Sequence, residues 1–218
     1  MLSVVVPVKD EPKLEPFLLT LHEIVADIPD QYEVIVVQGD REKKFYPYQN
    51  MPYQRTVWTY GDSLERSILN GFSHSIGDKI IVMDADKSHP PELIPKFWKA
   101  LDDHEMVVGS RFIEGSKFDS SAYRKLVSWG CVALAQAAGT KLTDPMSGYF
   151  GIQRNVLKRV RFKPITWKTC LEIELKAKPT LKEIPITFVE RTEGESKTTT
   201  RVGLKIIKEL LLLSMGWQ

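Results

Sequence analysis

Ile80-Ile81-Val82-Met83-Asp84-Ala85-Asp86 decides the reading of this chain, because four apolar residues run without a break into two carboxylates separated by one residue. An uninterrupted apolar run of that length fits a strand buried on both faces, as in a parallel sheet covered by helices. Open sheets of this kind bind ligands beyond the carboxyl ends of their strands, which is where Asp84 and Asp86 stand. The pair by itself reads two ways. Two carboxylates on one edge suit a hard divalent cation, Mg or Mn, which takes oxygen ligands from one or two acids and completes its shell with substrate phosphates. The same two residues also serve as caps of the turn that leads to Pro90 and Pro91.

Working outward, strand-like and helix-period segments alternate. Leu2 to Val8 reads as a buried strand, and Pro12 stands near the start of a helix carrying Leu14, Phe17, Leu18, Leu21, Ile24 and Val25 on one face. Tyr32 to Val37, Arg55 to Tyr60 and Lys79 to Met83 read as further strands, with a helix marked by Leu64, Ile68 and Phe72 between the last two. The proline pair opens a helix with Leu93, Ile94, Phe97, Trp98 and Leu101, and Glu105 to Val108 is a fifth strand ending at Gly109. The alternation then becomes irregular: a loop to about Ser120, a long helix to about Ala138, a late strand from Ile184 to Val189 and an apolar helix near Val202 to Met215. The pattern predicts an α/β fold with a mostly parallel central sheet and helices on both faces.

Composition sets the outer limits. With 218 residues, 43% of them hydrophobic and 27% charged, the chain reads as one domain, 1–218, and not as a disordered, collagenous or coiled-coil protein. Thirty basic against 28 acidic residues give no overall pull toward nucleic acid, so any anion site is local. One stretch, Arg154 to Lys168, holds six cations and no acid together with Phe162 and Trp167; lacking an RNA-recognition signature, it reads as a solvated helix and loop near a membrane. Cys131 and Cys170 are far apart and fit neither a disulfide framework nor a zinc cluster, which points to a reducing cytoplasm. The start of the chain has no signal-peptide pattern, and no apolar run reaches the roughly 18 residues of a membrane span. His22, His74, His89 and His104 lack metal-ligand spacing and read as surface or core residues.

The surroundings of the acidic pair add a resemblance. Asp84-Ala85-Asp86-Lys87-Ser88-His89-Pro90-Pro91-Glu92 resembles the D-A-D-x-x-H-P-P-E segment of dolichyl-phosphate mannosyltransferase-like enzymes, polyprenyl-phosphate glycosyltransferases of family 2 with a GT-A fold. The likeness continues in order through Val5-Val6-Pro7 with Glu11, Gly109-Ser110-Arg111-Phe112, Arg124 with Ser128, Asp144-Pro145-Met146-Ser147-Gly148-Tyr149, and Arg191 with Gly194-Glu195-Ser196-Lys197. It implies a GT-A-like nucleotide-diphospho-sugar transferase fold with a nucleotide-sugar half over about 1–110 and an acceptor half over about 111–218. It also implies that Pro7, Lys9 and Glu11 lie near the nucleotide, that Asp84, Ala85 and Asp86 meet the donor diphosphate, and that Asp84, Asp86 and Ser88 surround a divalent cation. Arg111, Arg124 and Ser128 are the implied acceptor-phosphate residues, guanidinium being a planar fork that matches phosphate oxygens. Arg191 and Lys197 belong to a loop that in relatives folds over the donor phosphates.

Two positions depart from the pattern. Relatives carry V-D-D-x-S-x-D-G-T after the second strand, where this chain has Val36-Val37-Gln38-Gly39-Asp40-Arg41-Glu42, so Gln38 and Asp40 are left as the candidate base contacts. Lys9 and Asp10 stand where relatives have an aromatic residue and Asn. The implied reaction is inverting transfer of a sugar, first mannose from GDP-mannose, to dolichyl or another polyprenyl phosphate at the cytoplasmic membrane face, with catalysis resting on Asp86, Arg111 and Arg124. A phosphate acceptor is largely dianionic near neutral pH and needs no general base. UDP-glucose as donor is the alternative, and an inactive nucleotide-sugar or lipid-phosphate binding module, perhaps partnered with a membrane subunit, is the reading from another class. The basic, apolar terminus with Lys205, Lys208 and Leu210 to Leu213 is expected to lie on a membrane surface or to pack on the sheet.

Overall fold

In the computed structural model, which describes residues 1–9, 11–39, 53–59, 63–86, 88–119, 122–162 and 168–189, the run Leu2–Val8 forms β1 and all seven of its residues are buried. Helix α1, Leu14–Ala26, returns the chain to β2, Tyr32–Gly39, and β3 spans Gln54–Thr59. Then come α2 (Leu64–His74), β4 (Lys79–Val82), a single 3-10 turn (Pro91–Leu93), α3 (Ile94–Ala100) and β5 (Met106–Ser110). The second half supplies β6 (Lys117–Asp119), α4 (Ala122–Ala137), β7 (Phe150–Gln153), α5 (Arg154–Leu157), α6 (Thr169–Ala177), β8 (Leu181–Pro185) and β9 (Thr187–Val189).

Seven strands form one sheet in the order β3-β2-β1-β4-β7-β5-β8, and β6 pairs with β9 in a small second sheet. Within the large sheet, β1, β2, β3 and β4 run parallel, as do β5 and β8, while β7 is antiparallel to both β4 and β5. Period-two alternation divides the core. Val4, Val6, Val34 and Val36 face Leu14, Leu18, Leu21 and Phe97 on one side. Val5, Ile35 and Val37 face Ile68, Phe72, Cys170 and Ile173 on the other. Helices therefore cover both faces, as the sequence pattern predicts.

The irregular second half departs from the sequence reading. The loop expected up to Ser120 contains β6, and the single late strand from Ile184 to Val189 is two strands in different sheets, broken at Ile186. β7, α5 and α6 carry no strong periodic signal and were not expected. In the basic stretch Lys158, Arg159 and Arg161 are exposed, in keeping with a solvated helix and loop, while Arg154 donates to the Gly77 carbonyl at 2.7 Å and the Ser75 hydroxyl at 3.0 Å, and Arg159 pairs with Glu105 at 2.8 Å. Asp40, Arg191, Lys197 and the terminal helix expected near Val202 lie outside the described residues, and of Arg124 only its place in α4 is described.

The amino edge of the sheet is closed by a polar network. Buried Glu33 accepts from Ser3 Oγ at 2.6 Å and from the Ile76 amide at 2.7 Å, and it pairs with Arg55. The carboxyl edge is the one left for ligands. The sheet and α2 approach closely at Gly71, where an added Cβ would overlap Val5 Cγ1 and sit 3.3 Å from Val37 Cγ2. Both neighbours are branched, fully buried and unable to swing away. Gly71→Ala therefore loses about 1–2 kcal/mol of stability despite alanine's better helix propensity, to be read from urea unfolding.

Candidate functional site

Four strand ends meet on the carboxyl edge. Val8 stands opposite Gln38, β4 runs into Asp84 through buried Met83, and β5 ends at Ser110. Because β7 runs the other way, its first residue, Phe150, is opposite both Val82 and Val108. That reversal delivers the segment Asp144 to Tyr149 to the same edge as the acidic pair.

Asp84 and Asp86 are held by the turn that follows them. The Asp84 amide donates to His89 Nδ1 at 2.7 Å, and Asp86 accepts from the Ser88 amide at 2.8 Å and from the Ser88 hydroxyl. An amide can only donate, so Nδ1 is an acceptor and the proton of this imidazole is on Nε2. His89 is buried and stacks on Tyr149 at 5.2 Å between ring centroids, and Tyr149 stacks on Phe97 at 4.4 Å. Burial raises the Tyr149 phenol well above its ordinary range, so it stays protonated and donates to the Pro90 carbonyl at 3.1 Å. Gly148 completes the contact: a Cβ there would lie 3.1 Å from His89 Cε1 and 3.7 Å from Asp84 Oδ2. Both readings of the acidic pair meet here, since Asp86 organises its turn while the Asp84 side chain remains 28% exposed at the sheet edge.

Arg111 is clamped on the other side of the segment. Fully buried Asp144 accepts from Arg111 Nε at 2.7 Å, from Nη2 at 2.8 Å and from the Arg111 amide at 3.1 Å. The arginine is thus paired with a carboxylate 33 residues further along the chain. Phe112, Phe118 and Phe188 surround the guanidinium at 5.0–5.4 Å from their ring centroids, so β6 and β9 serve to box this one cation. Asp144 is fixed in turn by Glu183 of β8, which accepts from the Asp144 amide at 3.3 Å and from the Thr143 hydroxyl at 2.8 Å. With the Nε hydrogen and one Nη2 hydrogen committed to Asp144, the guanidinium keeps the other Nη2 hydrogen and both Nη1 hydrogens.

Lys168 is the residue that the sequence reading missed. Its Nζ donates to the Met146 carbonyl at 2.9 Å, tying the start of α6 to the same segment. Burial, and then the charge of Arg111, lower its pKa, opposed by Asp144, Asp84 and Cys170. His89 was quoted within a motif but read as a bystander; its place five residues after Asp84 and before two prolines was the available signal. Lys168 offered none, being one cation of six in a row.

Among the nucleotide-side candidates, Pro7 is buried and Lys9 exposed, Glu11 is partly buried at the start of the turn before α1, and Ala85 is 7% exposed. Gln38 is 4% exposed, and among the described residues neither its Oε1 nor its Nε2 has a hydrogen-bond partner. A buried amide in that condition is costly unless a ligand completes it. Ser128 is partly buried in α4, four residues after Arg124.

Comparison with known proteins gives the family and the fold. The pattern of the family "Glycosyl transferase family 2" matches residues 3–161. A dolichol-phosphate mannosyltransferase of Pyrococcus furiosus is 32% identical over 99% of this chain and 64% of its own length. One from Saccharomyces cerevisiae is 34% identical over 73% and 65%, and an undecaprenyl-phosphate mannosyltransferase of Micrococcus luteus is 32% identical over 64% and 62%. The chain thus spans somewhat under two thirds of these relatives. Among solved structures, glucosyl-3-phosphoglycerate synthase of Mycobacterium tuberculosis, crystallised with Mn2+, UDP-glucose and glycerol 3-phosphate, superposes with a TM-score of 0.71 at 14% identity, over 99% of this chain and 80% of that one. That likeness shows a GT-A-like fold.

The Arg111–Asp144 pair is buried and bidentate, so removing either partner strands the other. Asp144→Ala and Arg111→Ala should each cost about 3–5 kcal/mol of stability, and the double variant clearly less than their sum. Chemical denaturation of the three variants checks the cycle; simple additivity would show that the pair is not coupled.

Proposed function

The chain belongs to glycosyl transferase family 2, and we propose that it is an enzyme that transfers a mannosyl unit from a nucleotide diphosphate, first GDP-mannose, to dolichyl or another polyprenyl phosphate. The observation that carries the reading is the shared edge: an acidic pair suited to a cation and a diphosphate stands on the same sheet edge as an arginine held by a buried carboxylate. Relatives that bear the names of polyprenyl-phosphate mannosyltransferases support the choice of sugar and acceptor.

Asp84 and Asp86 fit a divalent cation by donor chemistry, being hard oxygen ligands on partly exposed residues at a strand edge. Among the described residues no cluster of three metal-binding side chains forms a protein-only cage, which suits an ion shared with substrate. Mg or Mn bound there would neutralise the departing diphosphate. Ser88 orients Asp86 through its hydroxyl, and His89 fixes the Asp84 backbone. Arg111, with Arg124 and Ser128 on α4, binds the acceptor phosphate, whose oxygen attacks the anomeric carbon opposite the leaving group and inverts it. No general base is needed, since the acceptor is already anionic. By the family resemblance, Arg191 and Lys197 are assigned to the donor phosphates, and Pro7, Lys9, Glu11 and Asp40 to the nucleotide.

The unsatisfied Gln38 amide favours a second donor, UDP-glucose. An amide presents one donor and one acceptor, which matches the imide edge of uracil, whereas a carboxylate better matches the two adjacent donors of guanine. The reaction takes place on the cytoplasmic face of a membrane, with a membrane-protein subunit as a further partner.

Purified protein given a panel of labelled nucleotide sugars and a polyprenyl phosphate should move one label into organic-extractable lipid, with chelator removing the activity. Asp86→Ala should lower the rate by at least about 10²–10³-fold. Unchanged turnover in that variant would remove Asp86 from the chemistry, and nucleotide-sugar binding without transfer from any donor would favour a binding module.

A further inference from the structure

We propose that Lys168, at the amino end of α6, is a further phosphate-binding residue of the site, its ammonium meeting an oxygen of the acceptor phosphate alongside Arg111. The inference rests on the phosphate-acceptor reading for the identity of the anion, and it adds a cation that this anion needs.

Stability alone does not favour a lysine in this position. The residue is partly buried, and burial is the first cause that lowers its pKa, so its charge is held out of water at a cost. It is also the N-cap residue of the nine-residue helix α6, where the helix dipole disfavours a positive charge and no side-chain capping bond is made in return. The acid in the first turn, Glu172, pairs with Lys176 at 2.5 Å and not with Lys168. Among the described residues no carboxylate comes within ion-pairing distance of Nζ, and its single hydrogen bond, to the Met146 carbonyl, uses one of three N–H groups. A desolvated ammonium with two N–H groups left to give is suited to an anion.

Its place in the site identifies which anion. Met146 is two residues from Asp144, which holds Arg111, and two from Gly148, which adjoins Asp84, so the bond moors the ammonium to the middle of the segment between them. The charges of Arg111, Asp144 and Asp84 all act on it. A count of charges then sets its task. A divalent cation would be balanced by Asp84 and Asp86, and Arg111 is balanced by Asp144. The donor diphosphate and a largely dianionic acceptor phosphate still have to approach each other, and two anions in a partly buried site repel unless a cation stands with them. Of the two cations tied to this segment, Arg111 and Lys168, the second has no carboxylate of its own. Its charge is the one left for the incoming phosphate.

The test compares the full chain with Lys168→Met, which keeps most of the side-chain length without the charge, and Lys168→Gln, which also keeps a donor for the Met146 carbonyl. A short water-soluble prenyl phosphate is titrated by calorimetry in the presence of Mg and GDP or UDP, and its KM and kcat in transfer are measured separately. Both variants should bind it at least about tenfold more weakly and raise its KM by a similar factor, with nucleotide affinity within about twofold of wild type. Thermal unfolding of Lys168→Met should be unchanged or shifted upward, because an apolar chain in place of a desolvated ammonium removes a cost. A merely structural tie gives the reverse, a less stable protein with the wild-type acceptor KM, and that result overturns the proposal. So does a loss confined to nucleotide affinity, which assigns the ammonium to the donor diphosphate, and so does wild-type acceptor affinity in Lys168→Gln. The functional reading is judged separately, with inorganic phosphate as the probe. Broadening of its phosphorus resonance by the wild type but not by the variants, with no transfer by the wild type to any prenyl phosphate, removes the acceptor assignment and leaves the phosphate site standing.

Discussion

One strand running against its neighbours is the constraint on which the site depends. β7 lies between β4 and β5, antiparallel to both, and its beginning therefore coincides with their ends. Had it run parallel, Asp144 and Gly148 would have been carried to the edge closed by Glu33. The reversal is locked from within the turn: the Ser147 hydroxyl donates to the Gly109 carbonyl at 2.7 Å, and the Gly109 amide donates to the Tyr149 carbonyl at 2.8 Å. Gly151 lets the strand seat itself, since a Cβ there would lie 3.1 Å from Leu101 Cδ1 and 3.3 Å from Ile81 Cγ1.

From that placement follow the two halves of the candidate chemistry. The segment before β7 passes Asp84 at Gly148, where an added Cβ would lie 3.7 Å from Asp84 Oδ2, and it holds Arg111 through Asp144, so the acidic pair and the arginine adjoin one support. A rigid support suits a reaction carried by positioning and electrostatics, because groups already fixed need no reorganisation when charge moves. The rigidity is aromatic on one side, in the His89–Tyr149–Phe97 stack, and ionic on the other, in the Arg111–Asp144–Glu183 chain.

The first half of the fold was legible in the sequence because its strands are continuous apolar runs and its helices keep a clean apolar face. Leu2–Val8 comes out with the expected bounds, and Leu64–His74 carries the Leu64, Ile68 and Phe72 that marked it. The second half hides its elements for identifiable reasons. β7 is four residues long and contains a glycine. α6 buries Glu172 and Glu174, which break its apolar period; Glu174 is there to accept from the Thr140 hydroxyl at 2.7 Å and from the Lys141 amide at 3.1 Å. β6 and β9 are three residues each and exist only by pairing across about seventy residues of chain. Of the site, the motif residues Asp84, Asp86, Arg111 and Asp144 could be named from the sequence, and the structure brings all four to one edge. What holds them could not be read, because a partner such as Glu183 or Lys168 is chosen by topology and not by spacing.

Lys168 shows what that hidden support does to the charge of the site. Around the 144–148 segment two cations, Arg111 and Lys168, stand among Asp84 and Asp144, so much of the buried charge is compensated before any substrate arrives. Burying a lysine is costly, and its pKa is lowered accordingly, yet the Met146 carbonyl and the two carboxylates give the ammonium a place. An Asp144 fully occupied by Arg111 is not available to draw a cation or a phosphate ligand off course. Asp84 and Asp86, both partly exposed, are then the carboxylates left for the cation and diphosphate of the proposed reaction, and the compensated pair beside them does not compete for their charge.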